Sequence, residues 1–391
     1  MKWEKVKLGD IATFSNGINF NKTAYAKGIK LIGVSNFGDR FYPDYSQLQE
    51  VKKDIVRLED CLRNGDIVFV RSNGNKELVG RCMLVKNPTE RVTYSGFCIR
   101  ARLNDTDRYD PVYFSYYFKS KAFRRAVSGT AVGANIQNLS QARLSNHECR
   151  IPSIEVQHRI ADILSAYDDL IENNQKQIKL LEEAAQRLYK EWFVDLRFPG
   201  HENTKIVDGV PEGWQYEKLG DLVKTTSGGT PSRRKSEYYV NGNIRWIKTK
   251  ELNDRFIFET EEHITEDAVK NSSAKVLPEG ALIVAMYGAT IGKIGITAAE
   301  MACNQACCAF ISFDDMISKE YLYCWLMDNR EYLVSQGKGA AQSNLSQEMI
   351  RNFSLLCPDK KVIKKFTEIV TTILENKRVL ENKILMLSKA R

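Results

Sequence analysis

A possible metal-dependent active site is the first feature to test. The string Pro43-Asp44 followed by Glu50-Val51-Lys52 contains two carboxylates and a lysine, the residue types that nucleases place around Mg²⁺. Only about five residues separate Asp44 from Glu50, which is short for the pair of strands that usually carries these groups, and two-letter motifs recur by chance. We therefore interpret the string as a chance match.

Two further strings look like known catalytic or cofactor loops. The run from Gly288 to Lys293 resembles a phosphate-binding loop, but it has one spacer residue too few and no Ser or Thr after the lysine to hold Mg²⁺. Asp110-Pro111-Val112-Tyr113 resembles the substrate loop of adenine methyltransferases but lacks its second proline. We interpret the first as a turn between strands and the second as a helix N-cap with proline at the first helical position. The chain is predicted to carry no catalytic residues.

Composition and charge narrow the class of protein further. The 391 residues are 43% hydrophobic and 27% charged, values typical of a soluble globular protein. Nine cysteines without a CxxC pair, and four histidines at no zinc-ligand spacing from them, predict reduced thiols and no metal site. The N-terminus lacks the apolar core of a signal peptide, so a cytoplasmic location without membrane association is expected. The net charge of +8 permits a polyanionic partner without requiring one.

Polar loops that follow apolar, strand-like runs are the remaining candidates for chemistry. Arg can make paired hydrogen bonds to guanine and Asn to adenine. Basic or hydroxyl-bearing loops at several strand ends of one domain favour a surface that faces a DNA groove, although solvated turns closed by their own hydrogen bonds are the alternative. The candidate DNA contacts in the first half are Arg71, Ser72, Asn73, Asn75, Lys76, Asn135 and Gln137. Those in the second half are Thr230, Ser232, Arg233, Arg234, Lys235, Lys248, Thr249, Lys250, Tyr287, Thr290, Gln342, Ser343 and Asn344.

The elements that must position these loops occur twice in the chain. Trp3-x4-Leu8-Gly9-Asp10 returns as Trp214-x4-Leu219-Gly220-Asp221, and Asn138-Leu139-Ser140-Gln141 returns as Asn344-Leu345-Ser346-Gln347. Each copy reads as short strands separated by Gly, Asn and Ser turns, with an aromatic helix ahead of the last motif. The chain is therefore predicted to contain two copies of one domain. Two intermediate landmarks keep the same order, Asn64–Val70 with Glu279–Ala285 and Val79–Arg81 with Ile291–Lys293.

Each copy leads through a proline into a long helix with a coiled-coil repeat. After Pro152, and again after Pro358, apolar residues recur every seven positions, a pattern of a helix that packs against a partner helix. The partner is expected in the same chain. Asn174, polar at an a position, either sets the register or is a tolerated polar site. The predicted seam consists of Ile160, Leu164, Tyr167, Ile171, Asn174, Ile178, Leu181 and Leu188 in the first helix and Phe366, Ile373, Leu380 and Leu387 in the second.

The order of these segments resembles one known family. A variable domain, a long helix after Pro152, the aromatic run ending at Asp195, a Pro/Gly linker, a second variable domain and a second helix look like the specificity subunit of type I restriction-modification systems. The resemblance covers essentially the whole chain and is most specific from Leu188 to Asp221. At the helix starts the family's Glu-Gln pair is displaced in Glu155-Val156-Gln157 and replaced by Lys360-Lys361-Val362, which leaves the contacts there open.

The resemblance implies a fold and its boundaries. The fold would be α+β, with two mixed α/β target recognition domains joined by long antiparallel coiled-coil helices and related by a pseudo-two-fold internal repeat. The implied segments are residues 1–151 for the first target recognition domain, 152–196 for the central helix, 197–213 for a linker, 214–357 for the second target recognition domain and 358–391 for the C-terminal helix.

The resemblance also implies a function. Each domain would read one half of a bipartite, asymmetric site in double-stranded DNA through the loops named above, while the helices space the domains and dock two methyltransferase subunits. Restriction subunits would join this assembly. The chain would bind no cofactor, since S-adenosylmethionine, ATP and Mg²⁺ would belong to the partner subunits. The complete complex would be an N6-adenine DNA methyltransferase and an ATP-dependent endonuclease.

Two other functions fit parts of the sequence. A fused restriction or modification enzyme would carry its own catalytic site, with Asp44 as the candidate carboxylate. A coiled-coil interaction protein would never contact DNA, and its binding would be indifferent to salt, whereas phosphate contacts make DNA binding fall steeply as salt rises.

Overall fold

The structure is a computed structural model that describes residues 3–38, 41–72, 78–128, 138–337 and 344–391. It divides into two compact units, one that runs to Asp169 and includes Arg391, and one from Leu170 to Ala390. The boundary falls inside the first long helix, α5 (Ile154–Tyr189), which therefore contributes its first half to one unit and its second half to the other. No helix in the described ranges is long and apolar enough to span a membrane.

The first unit builds its domain from short strands and helices. The strands, in sheet order, are β1 (Glu4–Lys7) with β9 (Glu148–Ile151); β2 (Ala12–Asn16), β8 (Cys98–Leu103), β5 (Ile67–Val70) and β6 (Cys82–Leu84); and β4 (Gln49–Val51), β3 (Tyr25–Ile32) and β7 (Val92–Tyr94). The helices are α1 (Leu8–Ile11), α2 (Pro111–Lys119), α3 (Lys121–Ser128) and α4 (Gln141–Ser145). We call β1–β9 with α1–α4 the first domain.

The second unit contains the corresponding domain and the second long helix. Its strands, in sheet order, are β12 (Gln215–Lys218) with β22 (Ser354–Cys357); β13 (Val223–Ser227), β21 (Cys307–Phe313), β18 (Leu282–Ala285), β19 (Ile294–Thr297) and β15 (Arg255–Ile257); β16 (Glu262–Ile264), β14 (Ile244–Ile247), β20 (Met301–Cys303) and β17 (Val276–Leu277); and β10 (Ile206–Val207) with β11 (Val210–Pro211). Its helices are α6 (Leu219–Leu222), α7 (Glu266–Lys270), α8 (Lys319–Asp328), α9 (Arg330–Gln336), α10 (Gln347–Arg351) and α11 (Lys360–Ala390). We call β12–β22 with α6–α10 the second domain.

The central strand of each domain is apolar at every position because both of its faces are buried. In β5, Ile67 and Phe69 pack into one apolar cluster, whereas Val68 and Val70 pack into another. This division follows from the two-residue period of a strand. The corresponding strand β18 is divided between two clusters in the same way.

Backbone hydrogen bonds confirm the internal repeat. Gly80 N donates to Val70 O at 2.9 Å in the first domain, and Gly292 N donates to Ala285 O at 2.9 Å in the second. Both glycines have a left-handed backbone, with φ of +80° and +76°, which glycine adopts without steric cost. The hairpin after the central strand therefore closes identically in the two copies. It encloses a longer stretch of sequence in the first domain than in the second.

The second half of α5 packs against α11 in the antiparallel orientation that was predicted. Glu182 lies 2.7 Å from Lys377, whereas Tyr189, seven residues further along α5, has its ring 6.5 Å from that of Phe366 on the preceding turns of α11. Asn174 is buried, with 7% of its surface exposed. The predicted seam positions are all buried or half-buried, as an apolar seam requires.

The aromatic run at the end of α5 anchors the helix in the second unit. The α-helical geometry stops at Tyr189, and Lys190–Val194 form a π-helical turn. The ring of Phe193 lies 4.8 Å from Tyr321, 4.9 Å from Phe366 and 5.9 Å from Trp214. Aromatic pairs at such distances stabilise a contact beyond their buried area. The aromatic run is thus the point where α5, α11 and the second domain meet.

Candidate DNA interface

Two predicted DNA-contact loops of the second domain, Thr230–Lys235 and Lys248–Lys250, meet at one edge of the domain. The turn between β20 and β21 joins them. Asn304 N in this turn donates to the carbonyl at the end of β14 at 2.9 Å, just ahead of the second loop. Gln305, in the same turn, accepts a hydrogen bond from the side chain of Thr230 in the first loop. The loops form one surface, and their contact with DNA remains a prediction.

Arg233 lies at the centre of this surface. Its guanidinium carbon is 4.3 Å from the ring centroid of Tyr239 and 5.3 Å from that of Trp246, and its Nη2 is 2.6 Å from Glu262 Oε2. Lys248 pairs with the other oxygen of the same carboxylate. Burial raises the pKa of Glu262, but hydrogen bonds and charges from Lys248 and Arg233 outweigh burial and hold the pKa below its usual value. We call these five residues the Arg233 cluster.

The two rings of the Arg233 cluster are held by the loop that carries the arginine. Trp246 donates from Nε1 to Gly229 O at 3.1 Å, and Tyr239 donates from its hydroxyl to Pro231 O at 2.5 Å. A Cβ added to Gly229 would stand 2.5 Å from the carbonyl carbon of Ser273 and 2.6 Å from Ala274 N, so only glycine allows this close backbone approach. The loop and the two rings therefore hold one another in place, and these contacts fix the backbone that carries Arg233.

The other predicted residues of these loops lie around the Arg233 cluster. Lys235 donates from Nζ to Tyr238 Oη at 2.9 Å, and Lys250 pairs with Glu261. Ser232 and Arg234 are exposed. The surface therefore carries several cations whose positions are set by neighbouring acids or aromatic rings, which suits contact with a polyanion.

A second predicted site in this domain is the hairpin between β18 and β19. Tyr287 and Thr290 lie in this hairpin, and Leu345 N donates to the carbonyl of Met286 at 2.7 Å, which brings Asn344 beside it. A Cβ on Gly288 would lie 4.0 Å from Thr249 Oγ1. The hairpin therefore borders the Lys248–Lys250 loop. Gln342 and Ser343 lie outside the described residues.

The first domain brings its two predicted segments together by the corresponding bonds. Leu139 N donates to Arg71 O at 2.8 Å, and Ser72 forms a β-bridge with Asn138. Arg71 also donates from Nη1 to Gly96 O at 3.3 Å, so its guanidinium rests on the turn between β7 and β8. Five predicted residues, Asn73, Asn75, Lys76, Asn135 and Gln137, lie outside the described residues.

Three residues at these surfaces, Glu262, Gln305 and Phe97, were not predicted from the sequence. Glu262 was missed because a single acidic residue in a three-residue strand has no distinctive spacing. Gln305 could have been found as a polar pair with Asn304 between two apolar, cysteine-containing runs. Phe97 is 64% exposed on the corresponding turn of the first domain, where its carbonyl accepts from Arg71 N at 2.8 Å.

The strings that looked catalytic have structural roles. Asp44 accepts hydrogen bonds from the backbone and hydroxyl of Ser46, and Glu50 accepts from Gly28 N at 2.6 Å. Asp110 caps α2 by accepting from Val112 N at 2.9 Å. The run from Gly288 to Lys293 is the hairpin between β18 and β19, as predicted.

The described part of the chain shows no arrangement for metal binding, and its thiols are buried. No group of His, Cys, Asp and Glu there is arranged to hold a metal ion. The nine cysteines are all buried and unbonded to one another. Burial raises the pKa of Cys82 to about 11 and that of Cys98 to about 12, so these thiols are poor nucleophiles near neutral pH.

Comparison with known proteins agrees with this architecture. The model of the family described as "Type I restriction modification DNA specificity domain" matches residues 1–183 and 211–386. The MjaIX specificity subunit of Methanocaldococcus jannaschii is 27% identical over 80% of this chain and 72% of its own length. The HindI specificity subunit of Haemophilus influenzae is 25% identical over 99% and 98%. The crystal structure of a type I S subunit from M. genitalium matches 100% of this chain and 94% of its own, with a TM-score of 0.64 and 14% identity, a likeness in fold.

The chain therefore belongs to the type I restriction-modification DNA specificity family, because the family model covers most of it in two successive matches. It is a DNA sequence-specificity subunit, and the two matched segments each contain one of the repeated domains. The family resemblance stated from the sequence is confirmed.

Proposed function

We propose that each domain reads one half of a bipartite, asymmetric site in double-stranded DNA. The observation that carries this proposal is that the two domains share a backbone hydrogen-bond pattern but carry different side chains in their loops. The carbonyls of Arg71 and Met286 accept the corresponding bonds from Leu139 and Leu345, at 2.8 Å and 2.7 Å, yet the loops that follow differ in length and charge. Two domains of one fold with different reading loops suit two different half-sites.

The long helices act as the spacer and as the docking site for two methyltransferase subunits, with restriction subunits joining the complex. The partner subunits supply S-adenosylmethionine, ATP and Mg²⁺, and the complete complex is an N6-adenine DNA methyltransferase and ATP-dependent endonuclease. The packing of the second half of α5 against α11, at Glu182–Lys377 and Tyr189–Phe366, supports the spacer role, because a rod with a fixed register holds its ends at a fixed distance.

Methylome sequencing of a host that carries this chain with its partner subunits tests the proposal. It returns the two half-sites, their spacing and the methylated bases in one measurement. A heptad inserted in α5 between Ile171 and Ile178, with a matching heptad in α11 after Glu381, lengthens both helices and leaves the Glu182–Lys377 contact in place. The spacer in the methylated site should lengthen while both half-sites stay the same.

An unchanged spacer would contradict the spacer role of the helices. The matched control is a conservative substitution of the same two segments without a change in length, which should leave the site unaltered. Asp44→Ala should also leave methylation unaltered, because Asp44 caps a turn. If the purified chain methylated or cleaved DNA by itself when given S-adenosylmethionine or Mg²⁺, the non-catalytic role would be wrong.

A further inference from the structure

The geometry points to a specific division of labour in the Arg233 cluster: Arg233 reads a guanine in the half-site of the second domain, and Glu262 is the residue that positions it. This inference rests on the proposed function, since it requires the second domain to face DNA. The inference adds two points to the proposed function. It names the base that Arg233 reads, and it assigns a positioning role to Glu262, which does not carry the positive charge usual in a DNA contact.

The first argument is the orientation of the guanidinium. An arginine reads guanine through two parallel hydrogen bonds to O6 and N7, which requires its plane to be fixed before the base arrives. Here the guanidinium carbon lies over the rings of Tyr239 and Trp246, and Nη2 forms an ion pair with Glu262 at 2.6 Å. The side chain remains 54% exposed, so the fork is oriented and accessible at the same time.

The second argument is that the support is itself rigid. Trp246 is 2% exposed, and both rings are hydrogen-bonded to backbone carbonyls of the loop that carries Arg233. Glu262 lies opposite Trp246 in the pairing of β16 with β14, so the sheet sets the position of the carboxylate. A lysine that only meets phosphate needs no such support, because an ammonium group acts as a point charge without a fixed plane.

The third argument is electrostatic. A charged carboxylate on a surface that faces DNA repels the phosphates and lowers affinity for every sequence. Glu262 therefore opposes binding while it orients Arg233. Its removal should raise affinity for unrelated DNA and lower discrimination, whereas loss of a merely structural residue would lower both together.

The experiment measures binding of duplex oligonucleotides by the complex of the full chain with its methyltransferase subunits. The duplexes carry the site obtained from methylome sequencing, each single base-pair substitution in the half read by the second domain, and an unrelated sequence. In Glu262→Gln, discrimination at one G·C pair should fall about tenfold or more, while affinity for the unrelated duplex rises about twofold to threefold. The other positions should be read as before.

Arg233→Lys is the second variant, because it keeps the charge but loses the fork. It should lose discrimination at the same G·C pair and keep the slope of affinity against salt. Glu266→Gln is the matched control: it removes the same charge from an exposed pair with Lys270 in the same domain, and it should discriminate as the wild type does. Thermal unfolding of each complex establishes that the variants fold.

Each other outcome overturns the inference. If Glu262→Gln or Arg233→Lys weakens all duplexes by the same factor, Arg233 contacts phosphate. If Glu262→Gln behaves as Glu266→Gln does, Glu262 positions nothing. In both cases the wild type still binds its site selectively, so the proposed function stands. A wild-type complex that binds all duplexes alike would refute the proposed function and this inference with it.

Discussion

The two domains are fastened to their long helices by different chemistry. In the first unit one attachment is a carboxylate, Asp168 of α5, which accepts from the Tyr116 hydroxyl of α2 at 2.6 Å. The other is a neutral amide, Gln157 near the start of α5, which is 1% exposed. Its Oε1 accepts from Asp110 N at 3.0 Å, and its Nε2 donates to Pro152 O at 2.9 Å and to Arg108 O at 3.2 Å. These bonds tie the first turn of α5 to the start of α2 without burying a net charge.

In the second unit an ionic cluster adds to the aromatic contacts of Phe193. Lys377 of α11 is 1% exposed, and its Nζ lies 2.7 Å from Glu182 on α5. It also donates to Asp254 O at 2.6 Å and to Tyr323 Oη at 3.1 Å. Glu381, one helical turn further on, accepts from Phe256 N at 2.8 Å. A single ammonium group therefore joins both helices to the second domain.

The ionic fastening continues to the predicted reading hairpin. The carboxylate of Asp254 accepts from Lys293 Nζ at 2.7 Å and from Arg330 Nη2 at 2.5 Å, and Lys293 closes the hairpin that carries Tyr287 and Thr290. The contrast between the two units shows that a duplicated fold can keep its backbone while the contacts at the helix diverge. It also predicts that charge and pH affect the second domain more than the first.

Of the substitutions that test this contrast between the two units, Lys377→Met is expected to have the largest effect. Above pH 7, removing the cation leaves the buried Glu381 and the half-buried Glu182 without their charge partner, which is expected to lower the free energy of unfolding of the second unit by about 3–5 kcal/mol. Four of the five tryptophans lie in this unit, so fluorescence-monitored denaturation of the full chain reports its unfolding.

The matched control is Lys389→Met in the same helix. Lys389 pairs with Glu259 at the surface, where its side chain is 53% exposed, and surface pairs contribute about 1 kcal/mol or less. If the two substitutions had equal effects, the buried cluster around Lys377 would not hold the helices to the second domain.

The corresponding test in the first unit is Gln157→Met, which keeps the volume and removes the amide. It leaves Asp110 N and two carbonyls without their partner, and we expect a loss of about 2–3 kcal/mol. Hydrogen exchange should quicken in the first turns of α2 and α5 and stay unchanged in the second unit. Gln175→Met, at an exposed position of α5, is the control. If hydrogen exchange quickened equally in both units, Gln157 would not act on the first unit alone and the difference between the units would be wrong.

The sequence predicted the features that depend on periodicity. The repeated hairpin with its glycines and the NLSQ motifs follow from backbone geometry and were found in the structure, whereas the full heptad seam stays a prediction. Lys377 left a signal that was not used: it falls in a seven-residue series with Val370 and Ile384, at a position where an apolar side chain is expected. A polar residue in such a series indicates a buried partner.

The sequence could not predict which side chains meet across the domain. Arg233, Lys248 and Glu262 lie on separate segments, and only the pairing of β16 with β14 brings the carboxylate between the two cations. The contacts of Asp254 with Lys293 and Arg330 likewise join segments that are distant in the sequence. Long-range pairing of this kind depends on sheet register, which local propensity does not fix.

The smallest expected effect is a pH dependence of stability that distinguishes the second unit from the first. Burial raises the pKa of Glu381 to about 7, although the charges of Lys377 and Arg255 and the hydrogen bond from Phe256 N act against it, and Glu182 adds to the rise. Between the ordinary carboxyl pKa and pH 7 the folded state holds a proton that the unfolded state has lost. Stability from this group is therefore fully present at low pH and is lost as pH rises through about 7.

Glu381→Gln should remove that pH dependence. Relative to the wild type, the variant is expected to gain on the order of 2 kcal/mol between pH 5 and pH 8, because a neutral amide can still accept from Phe256 N and never has to ionise. Glu375→Gln, at an exposed position of the same helix, should follow the wild-type curve. Denaturation at a series of pH values measures all three. Parallel curves for wild type and Glu381→Gln would show that Glu381 stays charged beside Lys377, and the second domain would then be held by a permanent ion pair rather than by a group that titrates near neutrality.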